Sequence, residues 1–184
     1  MNRVNIRKAA NALSAGGVIA YPTEAVFGLG CDPLNEDAIS QLLTLKKRPS
    51  HKGLILVASN FSQLEPYLAP IPVTLFDKVM ATWPGPTNWL LPANPASPWL
   101  LCGKFQLQAV RISNHPAVQS LCNAFGGAIV STSANISRRP AAKTNLQVRS
   151  YFTNRLDYVL NEKIGDQITP CEIRNGLDGR IIRP

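Results

Sequence analysis

Acidic residues are scarce in this chain of 184: eleven Asp and Glu stand against nineteen Lys and Arg, a formal charge of +8. That imbalance raises a polyanionic partner or substrate from the start. Histidine is scarcer still, with two, and the four cysteines, Cys31, Cys102, Cys122 and Cys171, form no CxxC pair. The common zinc spacings are thereby excluded, and reduced, mostly buried thiols are expected. No apolar run approaches the roughly eighteen residues of a membrane span. The opening MNRVNIRKAANALSAGG is too interrupted by polar and basic residues for a signal peptide. A cytoplasmic protein with no membrane partner is the expectation. Both common nucleotide motifs are missing too: GxxxxGK[ST] does not occur, and Pro33 stands where Gly28-Leu29-Gly30 would need a third glycine. No Ser-His-Asp set and no pair of carboxylates for acid/base work can be argued.

What is present suits a globular fold. With 45% hydrophobic and 16% charged residues the chain is not disordered. Its length fits one domain spanning 1–184. The excess charge is concentrated. From Lys78 to Leu156 there is no acidic residue, while Lys78, Lys104, Arg111, Arg138, Arg139, Lys143, Arg149 and Arg155 supply eight positive charges, and the remainder cancels. Scattered surface cations need no partner; a field for nucleotide or RNA phosphate is the sharper reading.

The pattern alternates helix and strand. Ile6, Ala9, Ala10 and Leu13 predict a helix over 3–15, stopped by Gly16-Gly17. Val18–Tyr21 reads as a buried strand, and Val26–Cys31 carries Gly28 and Gly30, where backbone can approach a ligand. Asn35 opens a helix with Ile39, Leu42, Leu43 and Leu45 on its apolar face, ended by Pro49. A strand over 53–58, helices near 61–68 and 71–82, a strand over 87–91 and a loop over 94–103 follow. Strands at 108–112 and 128–131, helices at 116–125 and 145–152, and a final strand at 180–183 complete the reading. A single mixed α/β sheet layered with helices is expected.

Four segments could carry chemistry. Lys46-Lys47-Arg48-Pro49-Ser50-His51-Lys52-Gly53 gathers cations between a helix end and a strand, and phosphate binding and helix capping stand equal there. Ser131-Thr132-Ser133-Ala134-Asn135 puts hydroxyls and an amide after an apolar run, as an anion-binding concavity or a simple turn. Tyr21-Pro22-Thr23-Glu24 leads to Gly28-Leu29-Gly30, by itself a glycine-rich turn. Arg111 lies inside an apolar strand, where a guanidinium facing a cleft clamps carboxylate or phosphate. The chemistry of this set is charge stabilisation and positioning, with no strong protein nucleophile.

Taken together, YPTEAVFGLGCDP, LKKRPSHKGLILVASN, WPGP, AVRISNHP and STSANIS resemble the YrdC/TsaC family, the threonylcarbamoyl-AMP synthases of tRNA modification, in order and spacing. The resemblance covers almost the whole chain. It implies an open, twisted mixed α/β sheet with a basic concave face. The implied reaction condenses L-threonine, bicarbonate and ATP, with magnesium accompanying ATP, to threonylcarbamoyl-adenylate and pyrophosphate. Partner proteins then place the group on adenosine 37 of tRNAs reading ANN codons. The family's KxR…SxN tetrad falls on Lys46, Arg48, Ser133 and Asn135. By resemblance Lys46, Arg48 and Lys52 face the ATP phosphates, and Ser133, Asn135 and Arg183 the rest of the nucleotide. Thr23, Arg111 and Ser131 are implied for threonine. The chain departs from longer relatives at Ala25, where they read PTET, at Val57, where they carry histidine nearby, and at Cys171, where they carry serine nearby. Two other readings stand beside this one. The first is a double-stranded RNA or tRNA-binding module of rRNA processing or ribosome assembly, suggested by the acid-free stretch. The second is a carbamoyl-transfer module of the hydrogenase-maturation kind.

Overall fold

The strand-forming runs are apolar at consecutive positions because the sheet they build is covered on both faces. The computed structural model describes residues 2–169 and 171–183. In chain order the elements are α1 (Arg3–Ser14), β1 (Ile19–Pro22), β2 (Phe27–Gly30), α2 (Glu36–Lys46), β3 (Ile55–Ala58), α3 (Val73–Met80), β4 (Thr87–Pro92), α4 (Trp99–Cys102), β5 (Leu107–Ile112), α5 (Pro116–Phe125), β6 (Ile129–Ser133), α6 (Asn145–Phe152), β7 (Tyr158–Val159), β8 (Glu172–Asn175) and β9 (Ile181–Arg183). The strands form one nine-stranded sheet in the order β7-β1-β2-β6-β3-β5-β4-β8-β9. Pairs β1/β7, β3/β5 and β4/β8 are parallel, and the other neighbours run antiparallel. The expected mixed α/β sheet is the observed one.

Alternation along each strand divides the core in two. Ala20, Leu56 and Val130 point into a large cluster with Leu42, Trp89 and Phe152. Ile19, Tyr21, Val57 and Ile129 point the other way, against Ile6 and Leu13 of α1 and Val118 and Leu121 of α5. The helix ends follow local chemistry. Asn2, Asn35 and Thr144 cap α1, α2 and α6 by accepting a backbone N–H, and His115 does the same for α5 through Nδ1.

Several expectations need correction. The segment 61–68 is two 3₁₀ turns, Phe61–Gln63 and Glu65–Tyr67, not a helix, and Pro66 supplies no N–H to continue the first turn. The helix placed over 71–82 is shorter, because Pro72 sits at its N-cap. The loop at 94–103 contains the single turn α4. Strand β7, two residues at the sheet edge, is too short to show alternation, so no pattern announced it.

Candidate active site

Paired residues in a sheet share a face, and the register therefore assembles the floor of a cleft from distant segments. Ile55 pairs with Ser131 and Ala109, Leu90 with Ala109, Val57 with Arg111, and Gly28 with Ser133. All of these point to the side that carries α1 and α5. The two helices cover Val57 and Ile129. Ile55, Ala109, Arg111, Ser131 and Ser133 lie beyond them and line a cleft of about 710 Å³. That volume suits a nucleotide-sized ligand. Gly28, having no side chain, leaves the floor open beside Ser133; an added Cβ would already touch Tyr21 and Thr23.

The walls come from three places. Arg48, Lys52 and Gly53 follow α2; Leu101, Cys102 and Phe105 form a second rim; Ile168, Cys171, Ile173, Ile182 and Arg183 close the third side. The first two are welded through main chain. Leu54 N donates to Leu101 O at 2.7 Å, and Gly53 and Gly103, with φ of +61° and +62°, approach so closely that a Cβ on Gly103 would lie 2.5 Å from His51 O. Glycine is required at that crossing.

Lys46, the last residue of α2, is only 3% exposed and does not line the cleft. Its Nζ donates to Ser133 O, to Asn135 O at 3.0 Å and to Asn135 Oδ1 at 2.9 Å, which commits all three N–H groups. Its own carbonyl accepts from Ser137 N and Oγ, both at 2.9 Å. One lysine thus fastens the end of β6 to the end of α2. Burial, and secondarily the neighbouring Arg48 charge, lowers its pKa to about 7. Asn135 is a scaffold as well: Oδ1 accepts from Ser133 Oγ at 2.8 Å, and Nδ2 donates to Arg139 O at 2.7 Å. Arg48 reaches across its own loop, NH2 donating to Gly53 O at 2.9 Å, while its buried Nε has no hydrogen-bond partner. Burial pushes the Arg48 pKa down.

At the other end Arg111, 5% exposed, lies 3.0 Å from Glu24 through NH2 and Oε2, and its NH1 is directed at Cys171 Sγ. Burial raises the Cys171 pKa, with the Arg111 charge opposing it. Thr23 turns its hydroxyl to Val26 O at 2.7 Å. Arg183 NH2 donates to Cys171 O at 2.7 Å, tying β9 to the approach to β8.

Of the residues singled out from the sequence, Thr23, Arg48, Lys52, Arg111, Ser131, Ser133 and Arg183 line one cleft; Lys46 and Asn135 do not line it but bond its edge at Ser133. Ala25 and Cys171 also line it; Val57 is fully buried beneath α5. Two residues were given no site role from the sequence. Asn88 lines the cleft at 1% exposure, and Glu24 pairs with Arg111. An asparagine after WPGP and a glutamate after Tyr-Pro-Thr carry no signal that distinguishes them from turn residues. Among the described residues no group of three or more His, Cys, Asp or Glu could hold a metal ion.

The family model for Sua5/YciO/YrdC, described as "Telomere recombination", matches residues 11–184. The threonylcarbamoyl-AMP synthase of Halorhodospira halophila is 48% identical over 178 residues, covering 97% of this chain and 93% of that protein. That of Cellvibrio japonicus is 47% identical over 182 residues, 99% and 95% of the two chains. P. abyssi Sua5 complexed with L-threonine shares the fold with a TM-score of 0.93 and 27% identity, over 100% of this chain and 55% of the other, so this chain spans about half of that protein. E. coli YciO shares it with a TM-score of 0.81 at 21% identity, over 95% and 84%. Matched by the family model along nearly its whole length, and alike in sequence and fold to these proteins, the chain belongs to the Sua5/YciO/YrdC family.

Proposed function

We propose that this protein is a threonylcarbamoyl-AMP synthase, condensing L-threonine, bicarbonate and ATP to threonylcarbamoyl-adenylate and pyrophosphate. The observation that carries the reading is near 48% identity to proteins of that name over almost the full chain. The cleft supports it, lined by the half-buried Arg48, the exposed Lys52 and Arg183 and the buried Arg111. The comparisons favour this enzyme and not a stand-alone RNA-binding module.

In this reading the α-amino group of threonine adds to the carbon of bicarbonate and water leaves, giving a carbamate. A carbamate oxygen then attacks the α-phosphorus of ATP, and the bond to the bridging oxygen breaks to release pyrophosphate. No covalent enzyme intermediate is needed. Catalysis consists of holding two anions in line and neutralising the charge that builds on phosphorus. Arg48 and Lys52 face the ATP phosphates, and Ser133 and Arg183 the rest of the nucleotide. Lys46 and Asn135 act on ATP through the strand end they hold. Arg111 takes the threonine carboxylate, with Thr23 and Ser131 beside it. The donors around the cleft are cations, hydroxyls and amides, which do not fit a protein-held magnesium ion; magnesium would enter on ATP oxygens with its waters.

The setting follows from the product. The adenylate is consumed by partner proteins that transfer the group to tRNA, and we place the reaction in the cytoplasm; among the described residues no helix is long and apolar enough to cross a membrane. The test is pyrophosphate release from purified protein, with the adenylate identified by mass spectrometry. Release should require threonine, bicarbonate and ATP together, and Arg48→Ala should abolish it while keeping the wild-type melting temperature within a few degrees. Release without threonine, or none with all three, refutes the reading.

A further inference from the structure

Glu24 has no place among the residues read as touching substrate, yet it is the carboxylate paired with Arg111. Its side chain is almost fully buried, and it lines a separate cavity of about 260 Å³ with His115 and Asp166, not the 710 Å³ cleft. A carboxylate so placed does not reach a ligand in the cleft. It reaches Arg111 instead as an ion pair, Oε2 lying 3.0 Å from NH2 without an aligned hydrogen bond. The other contacts of that guanidinium are weak: NH1 is directed at a sulfur, a poor acceptor, and Nε has no hydrogen-bond partner. Among the described residues, Glu24 is the carboxylate that pairs with the guanidinium.

Glu24 is itself fixed from three directions. Ser113 Oγ donates to Glu24 Oε1 at 2.6 Å and accepts from His115 N at 3.1 Å, which ties the carboxylate to the start of α5. Thr23 O accepts from Gly165 N at 2.9 Å and Glu24 O from Gln167 N at 3.1 Å. An added Cβ on Gly165 would sit 2.6 Å from Glu24 O, so the strap at 165–167 presses directly on the Glu24 main chain.

The pairing also sorts charge. Among the described residues the ion pairs are Arg111–Glu24, Arg174–Glu172 and Arg180–Asp178. Of the cations lining the cleft, Arg111 is paired with a carboxylate, while Arg48, Lys52, Lys143 and Arg183 enter no ion pair among the described residues. A polyphosphate is drawn to uncompensated cations such as Arg48 and Lys52. A neutralised arginine still offers directional N–H groups to a single carboxylate.

We infer that Glu24 is a positioning and specificity-determining residue. From behind the cleft it aims Arg111 at the amino-acid carboxylate and weakens the pull of that one guanidinium on phosphate. This deepens the synthase reading and rests on it. The experiment compares wild type, Glu24→Gln and Glu24→Asp by pyrophosphate release, with melting curves alongside.

Glu24→Gln keeps shape and the Ser113 bond but removes the charge. It should raise KM for threonine about tenfold or more while KM for ATP stays within about twofold. Inorganic phosphate should become a competitive inhibitor against threonine in that variant and not in wild type. Glu24→Asp, which retains the charge one methylene further back, should show a smaller rise and no phosphate inhibition; it carries the test alone if Glu24→Gln does not fold. An unchanged threonine KM, or threonine and ATP KM values rising together, overturns the inference. A wild type without threonine-dependent release overturns the synthase reading, and the inference with it.

Discussion

Replacing Lys46 by methionine tests the consequence of burying an ammonium group at the end of α2. Burial brings its pKa from 10.5 to about 7, the Arg48 charge adding to the effect. In the unfolded chain the same group holds its proton up to the ordinary lysine range. Between these values the unfolded state binds more protons than the folded one, and stability rises with pH. A lysine half-protonated in the fold near pH 7 adds about 1.5 kcal/mol by about pH 8.5, at about 1.4 kcal/mol per pKa unit. The four thiols act in the opposite sense. Burial raises each of them, and the unfolded chain begins to release their protons near pH 8.5. Because Lys46→Met shares those thiols, the informative quantity is the difference between the two proteins. Thermal melts at fixed ionic strength should show the wild-type Tm climbing relative to Lys46→Met by about 3–6 °C between about pH 7 and pH 8.5, taking about 2–4 °C per kcal/mol for a chain of this size. A difference that stays constant or shrinks refutes the picture of a lysine held dry among three oxygens.

Two further outcomes are expected. Gly103→Ala should lower stability by about 2 kcal/mol or more, since φ of +62° and the contact with His51 O both oppose a side chain; an unchanged melting temperature would disprove the tight crossing of the two rims. The exposed cations Arg138, Arg139, Lys143, Arg149 and Arg155 enter no ion pair among the described residues, and we expect tRNA affinity to fall at least about tenfold between 50 and 200 mM salt. Fluorescence anisotropy reads that slope, and salt-independent binding would assign those charges to solubility alone.

Much of the sheet was legible because strands buried on both faces leave continuous apolar runs, as in Gly53–Ala58 and Ala128–Val130. The site was legible in pieces. Lys46 shows why the pieces alone mislead: its sequence position fits a helix-end cation or a phosphate ligand, and only the pairing of β6 with β2 and β3 reveals the oxygens it holds. Glu24 was silent for a related reason, since the serine that holds it lies 89 residues away. Position along the chain says nothing about such a contact until the register is known. The 3₁₀ turns at 61–67 were misread because Phe61, Leu64 and Leu68 have helical spacing, while Pro66 breaks the backbone ladder that spacing assumes.

The sheet order has a consequence for synthesis. Thr23 comes from the turn between β1 and β2, Arg111 from β5, and the wall bearing Ile173 and Arg183 from β8 and β9, which add to the sheet beyond β4. While residues 171–183 are still inside the ribosome, β4 is an open edge and the cleft lacks one side. The emerging chain therefore carries an apolar trough and an unpaired strand, the combination most exposed to faulty association. Pairing of the β8–β9 hairpin with β4 covers that edge and completes the cleft in the same event.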